Sequence, residues 1–150
     1  MLTRVPALPR ALGLAGILPQ AACLAAILIG PPEWRYAALA IGAGYAGLIL
    51  SFLGGMWWGI AAARDATGAP PPAWIWFAAV VPSLIALGAY LPWVFGYPWP
   101  GPSLVLIGSA IIVSLLVDLA VRPLAPRWWM ALRMPLSLGL GTITILLALA

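Results

Sequence analysis

The sequence predicts an all-α integral membrane bundle of five transmembrane helices. Three observations carry the prediction. Apolar residues make up 65% of the chain and charged residues 7%, against about 45–50% and about 25% in ordinary soluble domains, and mean hydropathy is +1.10. So much apolar surface cannot be hidden from water, which makes lipid the solvent for most of the chain. The seven arginines and three acidic residues divide the chain into five long apolar stretches, and proline–glycine turns fall between them. At roughly 20 residues per crossing, five helices use about 100 residues, which leaves tails and short turns. The expectation is one transmembrane domain over residues 1–150.

The first span is Ala11–Pro32, preceded by Arg4 and Arg10 and expected to kink at Pro19–Gln20. A cleaved leader is the alternative reading of this segment. Against it, Gln20 stands where a lipid-attachment box upstream of Cys23 needs an aliphatic residue, and four more spans follow. The second span, Tyr36–Ala63, lies between Arg35 and Arg64. The third runs from Ala73 to Phe95, after the turn Pro70–Pro71–Pro72. Gly96–Pro102 is too rich in proline to be helical. The fourth span covers Ser103–Ala120 and the fifth Met134–Ala150, the last near the short end of what can cross a bilayer.

Five spans place the loops on alternating sides. Arg4, Arg10, Arg64, Arg122, Arg127 and Arg133 share one side, and Arg35 stands alone on the other. Short loops obey the positive-inside rule, so the N-terminus is expected in the cytoplasm and the C-terminus in the periplasm. Arginine as the only basic residue, with abundant alanine, glycine and proline, points to a GC-rich bacterial genome and hence to the inner membrane. Trp74, Trp76, Trp128 and Trp129 fall near the arginine-rich boundary, with Trp57 and Trp58 about two turns below Arg64. Trp34, Trp93, Trp99, Tyr36 and Tyr97 mark the far one. Indole and phenol rings favour the headgroup level, so most are expected to be anchors.

The second span carries the sharpest pattern. Ala43, Gly47, Ser51, Gly55, Gly59 and Ala63 recur every four residues, a stripe that lets another helix approach closely. Gly47, Ser51, Gly55 and Gly59 are the candidate helix-packing residues, within the bundle or against a partner. Arg122–Arg133 reads as a short interfacial helix between spans four and five. Trp128 and Trp129 would enter the acyl boundary while Arg122, Arg127 and Arg133 meet lipid headgroups. Asp118, one turn before Arg122, is expected to pair with it at i,i+4. Gln20, Ser83 and Asp118 are the candidate buried polar groups. Gln20 should face another helix or a small wet cavity, whereas in-span Ser and Thr usually bond back to their own helix. Pro19–Gln20 and Pro82–Ser83 occupy matching places in a weak parallel similarity of Leu14–Leu28 with Phe77–Leu91, of a kind that can mark a transporter site.

Chemistry is scarce. The chain has no histidine, and its one cysteine, Cys23, reads as a small hydrophobe. There are no paired carboxylates, no metal-ligand cluster and no phosphate-binding loop beside a strand. No catalytic, metal-binding or cofactor-binding residue is assigned, no cofactor is expected, and no nucleic-acid partner fits.

At Ser51–Gly59 (Ser-Phe-Leu-Gly-Gly-Met-Trp-Trp-Gly) the chain resembles the uncharacterised bacterial and mitochondrial membrane proteins related to transmembrane protein 69. Val81–Ala86, Asp118 and Pro126–Ser137 match in the same order, so the resemblance covers nearly the whole chain. Members of that family often carry His or Arg where this chain has Trp57. The resemblance implies a multi-pass inner-membrane protein and supplies no activity. The expected function is therefore non-enzymatic: an accessory or assembly subunit packing through small-residue helix faces, in a larger membrane complex or a homo-oligomer and among membrane lipids. The alternative is a small permease or a lipid- or quinone-binding protein, with Gln20, Ser83 and the proline kinks lining its cavity.

Overall fold

The computed structural model describes residues 5–150; Arg4, counted above for topology, lies outside the described residues. Six α-helices follow one another: α1 (Ala7–Ala15), α2 (Leu18–Ile29), α3 (Arg35–Asp65), α4 (Trp74–Val94), α5 (Gly101–Val121) and α6 (Trp129–Leu149). With α1 and α2 taken together, five helical segments are long and apolar enough to cross a membrane, and the described residues contain no strand.

The first crossing breaks at Gly16–Ile17, one turn before the expected Pro19–Gln20. The displacement follows from what proline does. Pro19 has no N–H for the carbonyl of Ala15, and its ring crowds that carbonyl. The strain is relieved upstream, and Pro19 becomes a first-turn residue of α2, where no donor is needed. The Gly16 carbonyl, left without a helical partner, accepts the Tyr45 hydroxyl from α3.

The last crossing begins at Trp129, not Met134, and there is no separate interfacial helix before it. Arg122–Leu124 form a single 3-10 turn, Ala125 is extended, and Trp129 opens α6 directly. Pro123 and Pro126 each remove a donor, and Pro126 holds its preceding residue, Ala125, extended at φ −94° and ψ 163°. Helix α5 likewise starts at Gly101 rather than Ser103.

Helix α3 is the hub, packed against α2, α4, α5 and α6, while α5–α6 and α3–α4 form the most extensive pairs. Glycine permits two close crossings. A Cβ added at Gly54 would collide with the Ala79 carbonyl of α4, and one at Gly108 would lie 2.8 Å from the Gly141 carbonyl of α6.

The core face of α3 comprises Ala43, Ala46, Leu50, Leu53, Gly54, Trp57 and Ala61, which departs from the four-residue stripe. Four residues turn a helix through about 400°, so a strict four-residue row drifts by about 40° per step and by about 160° from Ala43 to Gly59. Ala43 consequently faces the core, Gly47 lies against Ala86, and Gly55 and Gly59 point outward with no atom within 4 Å of an added Cβ.

Candidate functional site: a sealed ion pair beside an apolar groove

Asp118 lies one turn from the end of α5 and is fully buried. A carboxylate in hydrocarbon is costly unless paired and hydrogen-bonded, and here three donors from two other helices surround it. Arg133 Nε of α6 donates to Oδ2 at 2.8 Å, while Trp57 Nε1 of α3 and Trp129 Nε1 of α6 donate to Oδ1 at 2.9 and 3.2 Å. The Arg133 guanidinium carbon also stands 6.0 Å from the centre of the Trp129 ring. One acid thus ties three helices together at the end of the bundle that bears Arg64, Arg122 and Arg127.

Four expectations change at this point. Asp118 pairs with Arg133, not Arg122; the 3-10 turn that begins at Arg122 leaves that side chain exposed. Arg133 and Trp129 are buried rather than turned to headgroups. Arg127 is exposed and Trp128 half-buried. Trp57 is only 2% exposed and serves as a hydrogen-bond donor in the core, not as an interfacial anchor.

The other polar candidates stand apart. Gln20 is fully buried and donates from Nε2 to Thr144 Oγ1 of α6 at 2.9 Å, while Thr144 donates on to the Leu140 carbonyl. Gln20 Oε1 has no partner. Ser83 is exposed on α4 and lines a separate hollow of about 480 Å³ together with Gly47, Ser51 and Tyr90. Gln20 borders neither that hollow nor the groove described next, so the two residues do not share a cavity. Cys23 is buried and free.

Helix α1 leans on α6 rather than on α3. Between α1, α3 and α6 this leaves a groove of about 370 Å³, within the range of small-molecule sites. Leu12, Phe52, Met56 and Leu136 represent its apolar walls, and Trp128 and Trp129 stand along it. Arg133 is the one charged side chain in the lining and Ser137, one turn further along α6, the one hydroxyl. Both are deeply buried, and Arg133 Nη2 and Ser137 Oγ lack any hydrogen-bond partner. A buried donor without a partner is rare and costs about 1–3 kcal/mol. The two residues lie at i and i+4 on one helix and both border the groove. Sequence reasoning missed Ser137; the signal available was a hydroxyl one turn from an arginine inside an apolar span.

At both ends of the bundle the aromatics cluster. Trp93 donates to the Tyr36 hydroxyl at 3.1 Å and stacks on Trp99 at 5.5 Å, while Trp58 and Trp76 meet edge to face at 4.8 Å at the other end.

The fold and this cluster define a multi-pass helical membrane protein with one neutralised ion pair. The chain belongs to the family described as protein of unknown function DUF3429, whose model matches residues 5–150. No curated protein and no solved structure matches it.

Proposed function

We propose that this protein is a non-enzymatic, multi-pass protein of the bacterial inner membrane that holds a membrane-soluble amphiphile in the groove between α1, α3 and α6. The observation that carries this reading is the pair of unpartnered donors, Arg133 Nη2 and Ser137 Oγ, in an otherwise apolar lining. The interior offers binding rather than chemistry: its acid and its base neutralise one another, and two indoles cap the acid. The N-terminus lies in the cytoplasm, on the side of Arg10, Arg64, Arg122 and Arg127. Purification in a mild detergent, followed by organic extraction and mass spectrometry, tests the reading. One amphiphile should be retained in stoichiometric amount and lost when Met56→Trp fills the groove. Equal retention by the filled variant overturns it.

A second reading, that the protein is an accessory subunit, is favoured by the outward face of α3. Gly55 and Gly59 leave open space there, and a partner helix could approach closely along it. Gly59→Leu should abolish any co-purifying partner while leaving the bundle folded; an unchanged complex removes this reading.

A further inference from the structure

We propose that the groove selects a neutral carbonyl head on a hydrocarbon tail, the chemistry shared by isoprenoid quinones and acyl-glycerol esters, and discriminates against carboxylate and phosphate heads. The proposal rests on the groove being a binding site, as argued above, and adds what the site recognises. The argument begins with charge. Arg133 would by itself attract an anion, but its Nε already meets Asp118 Oδ2 at 2.8 Å. The positive charge is matched, and the groove keeps unused donors without unused charge. An incoming anion would face the Asp118 carboxylate at the same guanidinium and would lose its own hydration in an apolar setting. A neutral carbonyl oxygen needs only the donors, which are left over.

Depth gives the same answer. Arg133 and Ser137 stand four and eight residues into α6 from Trp129, which is about 6 and 12 Å along the helix. Trp129 is itself buried, so the boundary is marked instead by exposed Arg127 and half-buried Trp128, and these donors lie further along α6, below the level of a phosphate and where ester carbonyls or a buried ring reside. The lining offers both aromatic surface, from Trp128 and Phe52, and aliphatic surface, from Leu12 and Leu136. Of the two cavities described, this one combines an apolar lining with bordering residues that carry unpartnered buried donors. The hollow between α3 and α4 has no such atom.

Native mass spectrometry of the full chain in detergent, titrated with three probes of matched chain length, tests this. The probes are a decyl benzoquinone, a monoacylglycerol, and a fatty acid held at pH 8, where it is ionised. At least one neutral probe should bind ten-fold or more tighter than the ionised fatty acid, and Ser137→Ala, which leaves the ion pair in place, should weaken that neutral probe about five-fold. Preference for the quinone or for the monoacylglycerol names the source. A fatty-acid anion that binds as tightly as the neutral probes overturns the selectivity while leaving the site. Binding of none of the three overturns the proposed function itself. Met56→Trp provides the control, since it adds bulk to the groove from α3 and leaves both donor residues in the sequence.

Discussion

Arg133 donates to Asp118 from Nε at 2.8 Å, across 15 residues of chain and the turn that joins α5 to α6. Both side chains are almost fully buried, so the contact acts where lone charges are most expensive. Removing one partner of such a pair strands the other, at about 3–5 kcal/mol, whereas replacing both with apolar residues can be close to neutral. Asp118→Asn and Arg133→Met should therefore each lower thermal stability in detergent sharply. The double replacement Asp118→Leu with Arg133→Met should recover much of the loss. Additive losses in that double-mutant cycle would show that the two residues are not energetically coupled.

The same geometry separates Trp57 from Arg122. Trp57→Phe keeps most of the buried ring but deletes the donor to Asp118. A hydrogen bond to a charged group contributes about 1.5–3 kcal/mol, and a loss of that order is expected. Arg122→Ala, at an exposed residue with no contact to Asp118, should change stability by less than about 0.5 kcal/mol. Reversed magnitudes in chemical or thermal unfolding would restore the i,i+4 pair that the sequence suggests.

How much of this was readable in one dimension depends on how local each feature is. Five crossings are legible because charge is absent over whole helices, and no tertiary information is needed to see it. The partner of Asp118 is not legible. Helical spacing offers Arg122, but Pro123 turns the chain there, and only the antiparallel return of α6 brings Arg133 alongside. Trp57 resembles an anchor at that distance from Arg64, and nothing in its own segment shows an acid waiting on α5. The small-residue stripe misleads for a geometric reason, since a four-residue period drifts around the helix. Gly54, outside the stripe, makes the crossing that Gly55 and Gly59 do not.

That difference among neighbouring glycines is testable. Gly54→Val would place a branched side chain against the Ala79 carbonyl, and Gly108→Val one against Gly141 and Ile145. Overpacking of this kind costs about 1–3 kcal/mol or more, and both variants should unfold at markedly lower temperature. Gly55→Val should fold like the parent, because its added atoms meet no protein neighbour. Thermal unfolding of the three in one detergent decides it.

Gln20 and Thr144 provide a second, independent tie, between α2 and α6. Interhelical hydrogen bonds inside membranes average about 0.6 kcal/mol and reach about 1.7. Gln20→Leu should thus be mild, and less harmful than Asp118→Asn, because it also removes the unpartnered Oε1. A loss above about 3 kcal/mol for Gln20→Leu would mean that the residue does more than join two helices.

Orientation in the membrane is the last consequence of the ion pair. Arg133 is neutralised by Asp118 inside the bundle, so it no longer counts among the loop charges that set topology. The basic residues that remain on its side of the sequence are Arg4, Arg10, Arg64, Arg122 and Arg127, with Arg35 opposing them. Replacing Arg64, Arg122 and Arg127 together by glutamine should weaken the arrangement, because only Arg4 and Arg10 would then stand against Arg35. Arg133→Gln should destabilise the fold yet leave orientation unchanged. Compartment-sensitive reporters fused to each terminus read both outcomes. The parent should report the N-terminus in the cytoplasm and the C-terminus in the periplasm, and only the triple variant should shift. If Arg133→Gln alone redistributes the reporters, the arginine acts on topology before it meets Asp118, and the ion pair forms too late to remove it from the count.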